Sequence, residues 1–278
     1  MAKVSLWDKQ VFNEFKDCTL LIFSLIGGPL YFVDIPTEQK IVYGIICLVV
    51  LILVYLYLWH RANSLREIKL TIEGSTVIIK TGDIFSQDGL KAIAFNEYFD
   101  TQVDDRLIAA SSLNGKFITD HLPCSIPELD EHIKNYKFDT DEIKDIDEDR
   151  KEGKKQKYEI GTICVLGDFL LTALSKFDSR NEAHLTMPEY LEFLISFWDK
   201  VNRVYAQKSV SVPIFGSGLT RIKGHKTIDE QDLLKIMLWT FRVSEMRFKH
   251  PAKLTIMIHE GKIDKVNLLE LKAARNGL

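Results

Sequence analysis

The chain is poor in the residues that cross-link proteins or hold metals. Of its four cysteines in 278 residues, Cys18 and Cys47 fall inside apolar runs, and Cys124 and Cys164 stand far apart. Neither a disulfide framework nor a metal site has that spacing. The seven histidines show no ligand spacing either, so no metal is expected. Charge of one sign is lacking too. With 36 basic and 39 acidic side chains and a net charge of −3, the chain is no strongly basic nucleic-acid binder. A cleaved signal peptide is not expected, because Asp8, Glu14 and Asp17 precede the first apolar run and no small-residue site closes it.

The most informative shortage is local. Between Cys18 and His60 the only acidic or basic side chains are Asp34, Glu38 and Lys40. Ile41 to Trp59 carries none of them, with Leu, Ile, Val and Tyr on every face, long enough as a helix to match a bilayer's hydrocarbon core. The alternative, a buried core helix, would leave a polar face. Tyr55, Tyr57 and Trp59, followed by His60 and Arg61, read as an interfacial anchor. The shorter run Cys18 to Val33 contains Gly27-Gly28-Pro29 and reads as the first arm of a transmembrane hairpin, kinked near Pro29. Trp7, Val11, Phe12 and Phe15 share a helical face before it. That stretch either lies along the membrane surface or forms the first turns of the span. Lys3, Lys9 and Lys16 flank one end and Arg61, Arg66 and Lys69 the other, against Lys40 alone in the Asp34–Lys40 loop. Both termini are therefore expected in the cytoplasm of a multi-pass inner-membrane protein. Residues 1–66 form this module and residues 67–278 a soluble one.

The soluble module alternates strands and helices, the pattern of an α/β three-layer fold. Ile68–Ile72 and Thr76–Ile79 flank Gly74-Ser75 as a hairpin, and Tyr158–Leu166 and Phe169–Leu174 flank Gly167-Asp168 as a second. Lys91–Phe95, Ser209–Ile214 and Lys253–Ile258 read as buried strands. Thr186-Met-Pro-Glu189 and Thr227-Ile-Asp-Glu230 are capping boxes opening helices. Trp198 and Trp239 fall on apolar helical faces and are expected in the core, and a last helix is expected over Asp264–Asn276. Asp139 to Lys157 holds eight acids and six bases with almost nothing apolar, and reads as an exposed loop.

Two loops carry glycine after expected strands. Pro213-Ile-Phe215-Gly216-Ser217-Gly218-Leu219-Thr220-Arg221 can expose several backbone N–H groups together, which suits a phosphate or pyrophosphate. Ser111-Ser112-Leu113-Asn114-Gly115 is the other. Plain turn chemistry explains either loop alone. Gly82-Asp83-Ile84 closes a strand, where an Asp accepts from an exocyclic amine or simply caps a turn.

Taken in order, Gly82-Asp83-Ile84, the strand ending in Asn96, the Ser112–Gly115 loop and the Phe215–Leu219 loop resemble the macro domain family over residues 67–275. The resemblance implies a mixed sheet between helices that binds ADP-ribose. Asp83 and Ile84 would meet adenine, and Asn96 the distal ribose. Ser112, Leu113, Asn114 and Gly115 would lie around the diphosphate with Phe215, Gly216, Ser217, Gly218 and Leu219. The family's Asn-Ala-Ala-Asn run is here Asn96-Glu-Tyr-Phe99, and its triple glycine is reduced to Gly115, which weakens catalysis more than binding. No catalytic residue is assigned, and no cofactor is expected beyond the ADP-ribose-type ligand.

Two N-terminal spans before Asn-Glu-x-Phe-Asp-Thr (Asn96 to Thr101), Ser-Leu-x-Gly (Ser112 to Gly115) and Ile-Gly-Thr (Ile160 to Thr162) more specifically resemble the transmembrane–macro effectors of the bacterial Thoeris anti-phage system. That resemblance implies a partner TIR-domain enzyme making an ADP-ribose signal such as histidine–ADP-ribose. It also implies a homo-oligomer that disrupts the lipid bilayer and kills the infected cell. A membrane-tethered ADP-ribosyl hydrolase and a passive ADP-ribose reader are the alternatives.

Overall fold

A computed structural model of the chain describes residues 3–30, 36–178, 180–218, 220–223 and 228–274. Two helices come first, α1 (Lys9–Leu30) and α2 (Thr37–Ser64). Among the described residues, α2 is the one helix long and apolar enough to cross a membrane. Its 28 residues extend about 42 Å, and Ile41, Val42, Ile45, Leu48, Ile52 and Leu53 face outward along it. The hairpin expectation is thus met by one qualifying helix rather than two, because α1 carries polar turns before its apolar stretch. The stretch from Val11 to Phe15 is the start of α1 itself, not a separate surface segment. Val11 is fully buried, and Phe15 meets Tyr55 edge-on at 5.3 Å.

The expected aromatic anchor is also redrawn. Trp59 Nε1 donates to the Val4 carbonyl at 3.0 Å and the Tyr55 hydroxyl donates to that of Leu6. Both rings therefore tie α2 to the N-terminal segment, and Tyr57 alone of the three is well exposed.

The rest of the chain builds one large mixed sheet. A tight turn at Glu73-Gly74, both at positive φ, joins β1 (Glu67–Ile72) to β2 (Ser75–Thr81) in the mirror-image geometry that suits strand twist. Next come β3 (Leu90–Asn96), α3 (Leu113–Lys116) running into a wide helical turn at Phe117–His121, and α4 (Ile126–Asn135). A separate two-stranded ladder, β4 (Ile143–Ile146) with β5 (Gln156–Tyr158), precedes the hairpin β6 (Ile163–Leu166) and β7 (Phe169–Phe177). The chain continues through β8 (Ala183–Thr186), α5 (Met187–Val204), β9 (Val210–Pro213), β10 (Arg221–Lys223), α6 (Glu230–Val243), β11 (Leu254–Ile258), a 3₁₀ turn (Glu260–Lys265) and α7 (Leu268–Ala273).

Strand order is β1-β2-β11-β9-β3-β7-β8-β10, with β6 also on β7. The central run β2, β11, β9, β3, β7 is parallel; β1 is antiparallel to β2, β6 and β8 are antiparallel to β7, and β10 is parallel to β8. Edge strand β1 alternates exposed and buried residues, whereas all five residues of β11 are buried. That is the contrast expected between a one-sided edge and a sheet covered on both faces. One face packs Tyr190, Phe193, Phe197, Trp198 and Phe241 from α5 and α6. The other packs Phe117 from the turn after α3 and Leu129 and Ile133 from α4.

The capping box at Thr186 forms, with Glu189 N–H donating to Thr186 Oγ1 at 3.4 Å and Thr186 N–H to Glu189 Oε2 at 2.7 Å. The one expected at Thr227 does not open α6. Thr227 lies outside the described residues, and Asp229 is the cap, accepting from Asp232 N–H at 2.9 Å. Trp198 is fully buried, donating to Thr240 Oγ1 at 3.2 Å. Trp239 is 45% exposed, since the buried stripe of α6 runs through Leu234, Met237, Leu238 and Phe241. The last helix starts at Leu268, later than expected, because Asn267 caps it and Glu260–Lys265 is a 3₁₀ turn.

Candidate functional site

β3 and β9 are parallel neighbours, so both end on the same side of the sheet. Ligands of open parallel sheets bind in a crevice outside the carboxyl ends of the strands. Here it is a cleft of about 200 Å³. Phe95 and Asn96 from the end of β3 line it, with Ser112, Leu113 and Asn114 from the crossover and Pro213 to Gly218 from the end of β9 and the loop after it. Two loops about a hundred residues apart in sequence are thus brought together.

Of the residues expected at the site, Asn96, Ser112, Leu113, Asn114, Phe215, Gly216, Ser217 and Gly218 line this cleft. Leu219 lies outside the described residues. Asp83, Ile84 and Gly115 do not line it. Asp83 sits at the carboxyl end of β2, exposed, with Oδ1 accepting from Phe85 N–H at 3.0 Å, while Ile84 is buried. The Phe85 ring stacks on His121 at 3.8 Å, placing the Gly-Asp-Ile turn beside the end of the helical turn that follows α3.

Gly115 is glycine for a different reason than expected. An added Cβ would fall 2.2 Å from the Ala109 carbonyl oxygen, so the helix packs directly on its own incoming loop. Its N–H is spent on Ser112 Oγ at 2.9 Å, the N-cap contact. Beside it, Asn114 Oδ1 is buried with no hydrogen-bond partner. An orphaned acceptor at a cleft wall costs free energy until a donor arrives.

The second loop is held from three sides. Ser217 N–H closes a turn onto the Ile214 carbonyl at 3.2 Å, with Gly216 at φ +77°, where a side chain would be strained. The Phe215 ring packs edge-on against Phe193 and Phe197 at 5.0 and 4.9 Å, and the Phe215 carbonyl accepts from the Tyr190 hydroxyl at 2.8 Å. Burial pushes the Tyr190 pKa up, so that hydroxyl stays protonated and donating. Lys262 Nζ donates to the Ser217 carbonyl.

Asn96 is turned inward. Its Oδ1 accepts from the N–H groups of Tyr98 and Asp100 at 3.0 and 3.3 Å, and its Nδ2 donates to Asp100 Oδ2 at 2.8 Å. Phe99, in the place of the second Asn, keeps a left-handed φ of 50°, a conformation that Asn tolerates better than a bulky residue. Its side chain is fully buried against Phe95, Phe138 and Tyr158. The turn sends its fourth side chain into the core.

That turn also anchors the charged segment. Asp100, 1% exposed, pairs with Arg150, 6% exposed, at 2.7 Å and accepts from Lys154 N–H at 2.8 Å. Arg150 stacks on the Tyr98 ring at 3.6 Å, and the Tyr98 hydroxyl donates to Asp147 at 2.8 Å. Burial, with that bond second, raises the Tyr98 pKa to about 12. Residues 139–157 are therefore a folded flap around a buried ion pair rather than a free loop. Their sequence hides this, because Arg150 looks like any other charge in a charged run.

Further lining residues were not foreseen: Leu107, Ile108, Ser175, Phe177 and Ala183. Ser175 had one available signal, a polar residue near the end of the apolar strand β7, where it pairs with Asn96.

A mixed sheet between helices with two glycine-bearing loops at its strand ends defines a macro-type domain, and sequence comparison agrees. Residues 77–259 match the family described as Thoeris protein ThsA, Macro domain. The chain is 38% identical over 256 residues to the Thoeris protein ThsA of Bacillus amyloliquefaciens (strain Y2), covering 89% of this chain and 84% of that protein. The chain belongs to the Thoeris ThsA macro-domain family. Among solved structures it is similar to an Oceanobacillus iheyensis macrodomain mutant with ADPR, at 12% identity and TM-score 0.47 over 74% of this chain and 97% of that one. The macrodomain of the same organism with ADP aligns at 13% identity and TM-score 0.45, over 76% and 98%.

Proposed function

We propose that the chain is a membrane-anchored effector of bacterial anti-phage defence whose cleft binds an ADP-ribose-derived nucleotide, with histidine–ADP-ribose the candidate signal, made by a partner TIR-domain enzyme. The observation that carries this reading is the meeting of Asn96, Ser112 to Asn114 and Phe215 to Gly218 in one cleft at strand ends, in a chain of the Thoeris ThsA family. The glycine loop offers backbone N–H groups to a diphosphate. The orphaned Asn114 Oδ1 offers an acceptor to a ligand hydroxyl, and Asp83 reaches adenine once the Gly-Asp-Ile turn closes on it.

Binding without turnover is favoured by the walls. No described lining side chain is an acid, base, cysteine or tyrosine, so general acid–base chemistry would have to come from outside the cleft. The membrane half is α2 as a span with α1 as the second arm, both termini cytoplasmic by the Lys and Arg flanks. Copies then assemble on binding and breach the bilayer.

The test uses the full chain in dye-loaded phospholipid vesicles with ADP-ribose and, separately, an ADP-ribosylated peptide. Saturable binding and ligand-dependent leakage without released product are expected, with both lost in Gly218→Trp, which fills the open side of the loop. Many turnovers of the peptide per chain would replace this reading with the hydrolase one. Binding without leakage would leave a passive reader.

A further inference from the structure

The second glycine loop is the near end of a run of polar contacts, joined at one step by the backbone between Glu230 and Gln231, that finishes at the membrane helices. Lys262, whose ammonium donates to the Ser217 carbonyl, also pairs with Glu230 at 3.1 Å, and Lys265 joins the same carboxylate at 3.4 Å. Glu230 opens α6 and is only 10% exposed. Burial opposes ionisation of its carboxyl, but the hydrogen bond from the Lys262 ammonium leads the contacts that hold its pKa below the ordinary range. Its neighbour Gln231 reaches α7 with both ends of its amide. Oε1 accepts from Asn267 N–H at 2.9 Å and Nε2 donates to Glu270 at 3.3 Å. Asn267 caps α7 with Oδ1, accepting from Glu270 N–H at 3.1 Å, and with Nδ2 donates to Asp8 at 3.0 Å. The other oxygen of Asp8 accepts from Gln10 N–H at 2.8 Å, in the first turn of α1.

The joint at the far end is small. Among the described residues, Val4, Val11, Leu58, Ala62 and Leu269 form its buried cluster, with Phe15, Val54, Tyr55, Trp59 and Leu65 half-buried against it, beside a far larger main core. A joint with few buried apolar contacts opens at far lower free energy than the domain unfolds, so a modest bias at one end can move it. Its apolar contacts hold α7, the start of α1 and the end of α2 together at one corner.

We propose that the Ile214–Gly218 loop and the base of the membrane helices are one thermodynamic unit, coupled through Lys262, Glu230, Gln231, Asn267 and Asp8. Ligand in the cleft competes for Lys262, shifts the Glu230 and Gln231 contacts, and resets how α7 holds the start of α1. This rests on the ADP-ribose reading and adds its regulation. By reciprocity, loosening the far end must change affinity at the near one.

The experiment measures ADP-ribose affinity by calorimetry on the full chain in phospholipid nanodiscs, with hydrogen exchange read at residues 9–12. ADP-ribose should change exchange at residues 9–12 in the unaltered chain. Asp8→Ala should shift the Kd by about five-fold, the lower end of usual couplings, although Asp8 touches no cleft residue. Asn267→Asp keeps an α7 cap but sets like charges together at Asp8, and carries the same expectation if Asp8→Ala folds poorly. Lys9→Ala, exposed beside the joint, should leave the Kd unchanged. Normal binding with no change at residues 9–12, or unchanged Kd in both folded variants, overturns the coupling alone. Failure of the unaltered chain to bind ADP-ribose overturns the binding reading first, and the coupling with it.

Discussion

A Cβ built on Gly115 lands 2.2 Å from the Ala109 carbonyl oxygen, whereas one built on Gly218 meets nothing within 4 Å. These glycines belong to the two loops that share the cleft, yet one is glycine because the protein presses against it and the other stands in free space. The first loop is held by steric contact and a helix cap. The second is held at a distance, by the Tyr190 hydroxyl, the Lys262 ammonium and the ring of Phe215. The space beside Gly218 is therefore available to a ligand, and that beside Gly115 is not.

Three substitutions test this contrast in descending order of effect. Gly115→Ala should be the most damaging, costing about 3 kcal/mol or more through backbone overlap, read as a lowered midpoint in urea. A near-neutral result would erase the distinction between the loops. Next comes the support of the second loop. Glu189 caps α5, the helix that brings Tyr190 to Phe215, and its pKa is depressed to about 2, first by the hydrogen bond from Lys176. A depressed carboxyl stabilises the fold fully above its unfolded value near 4.5, and that contribution disappears as pH falls through about 2. Glu189→Gln should therefore cost about 1 kcal/mol at pH 7, allowing for partial exposure, and flatten the stability profile between pH 4.5 and 2. A variant as steep as the unaltered chain in that window would show the pair to be idle. Smallest in stability is Gly218→Ala, expected within about 0.5 kcal/mol of the unaltered chain in the same urea titration. A large loss there would show that the loop packs more tightly than its open space implies.

Much of this architecture could be read from the residues. The alternation at Ile68–Ile72, the buried strand β11 and the Thr186–Glu189 capping box depend on local periodicity and local hydrogen bonds, and each is found where expected. Asn96 and the two loop segments were legible because their order along the chain is distinctive. What stayed hidden depends on contacts distant in sequence. The clash that demands glycine at 115 comes from a neighbouring loop's carbonyl, and nothing in Ser112–Gly115 announces it. Arg150 became a buried partner because Asp100, fifty positions away, turned inward. Trp239 shows the same limit from the other side. It keeps company with apolar residues in sequence, but the sheet supports only one stripe of α6.

The cleft has one more consequence. None of its described walls takes up or releases a proton near neutrality. Its affinity for a diphosphate should then stay level between about pH 6 and 8, since diphosphate oxygens are already ionised there and no wall group responds. A shift of pH within that window would leave the threshold of such a cleft unmoved, so its occupancy would track the amount of ligand alone.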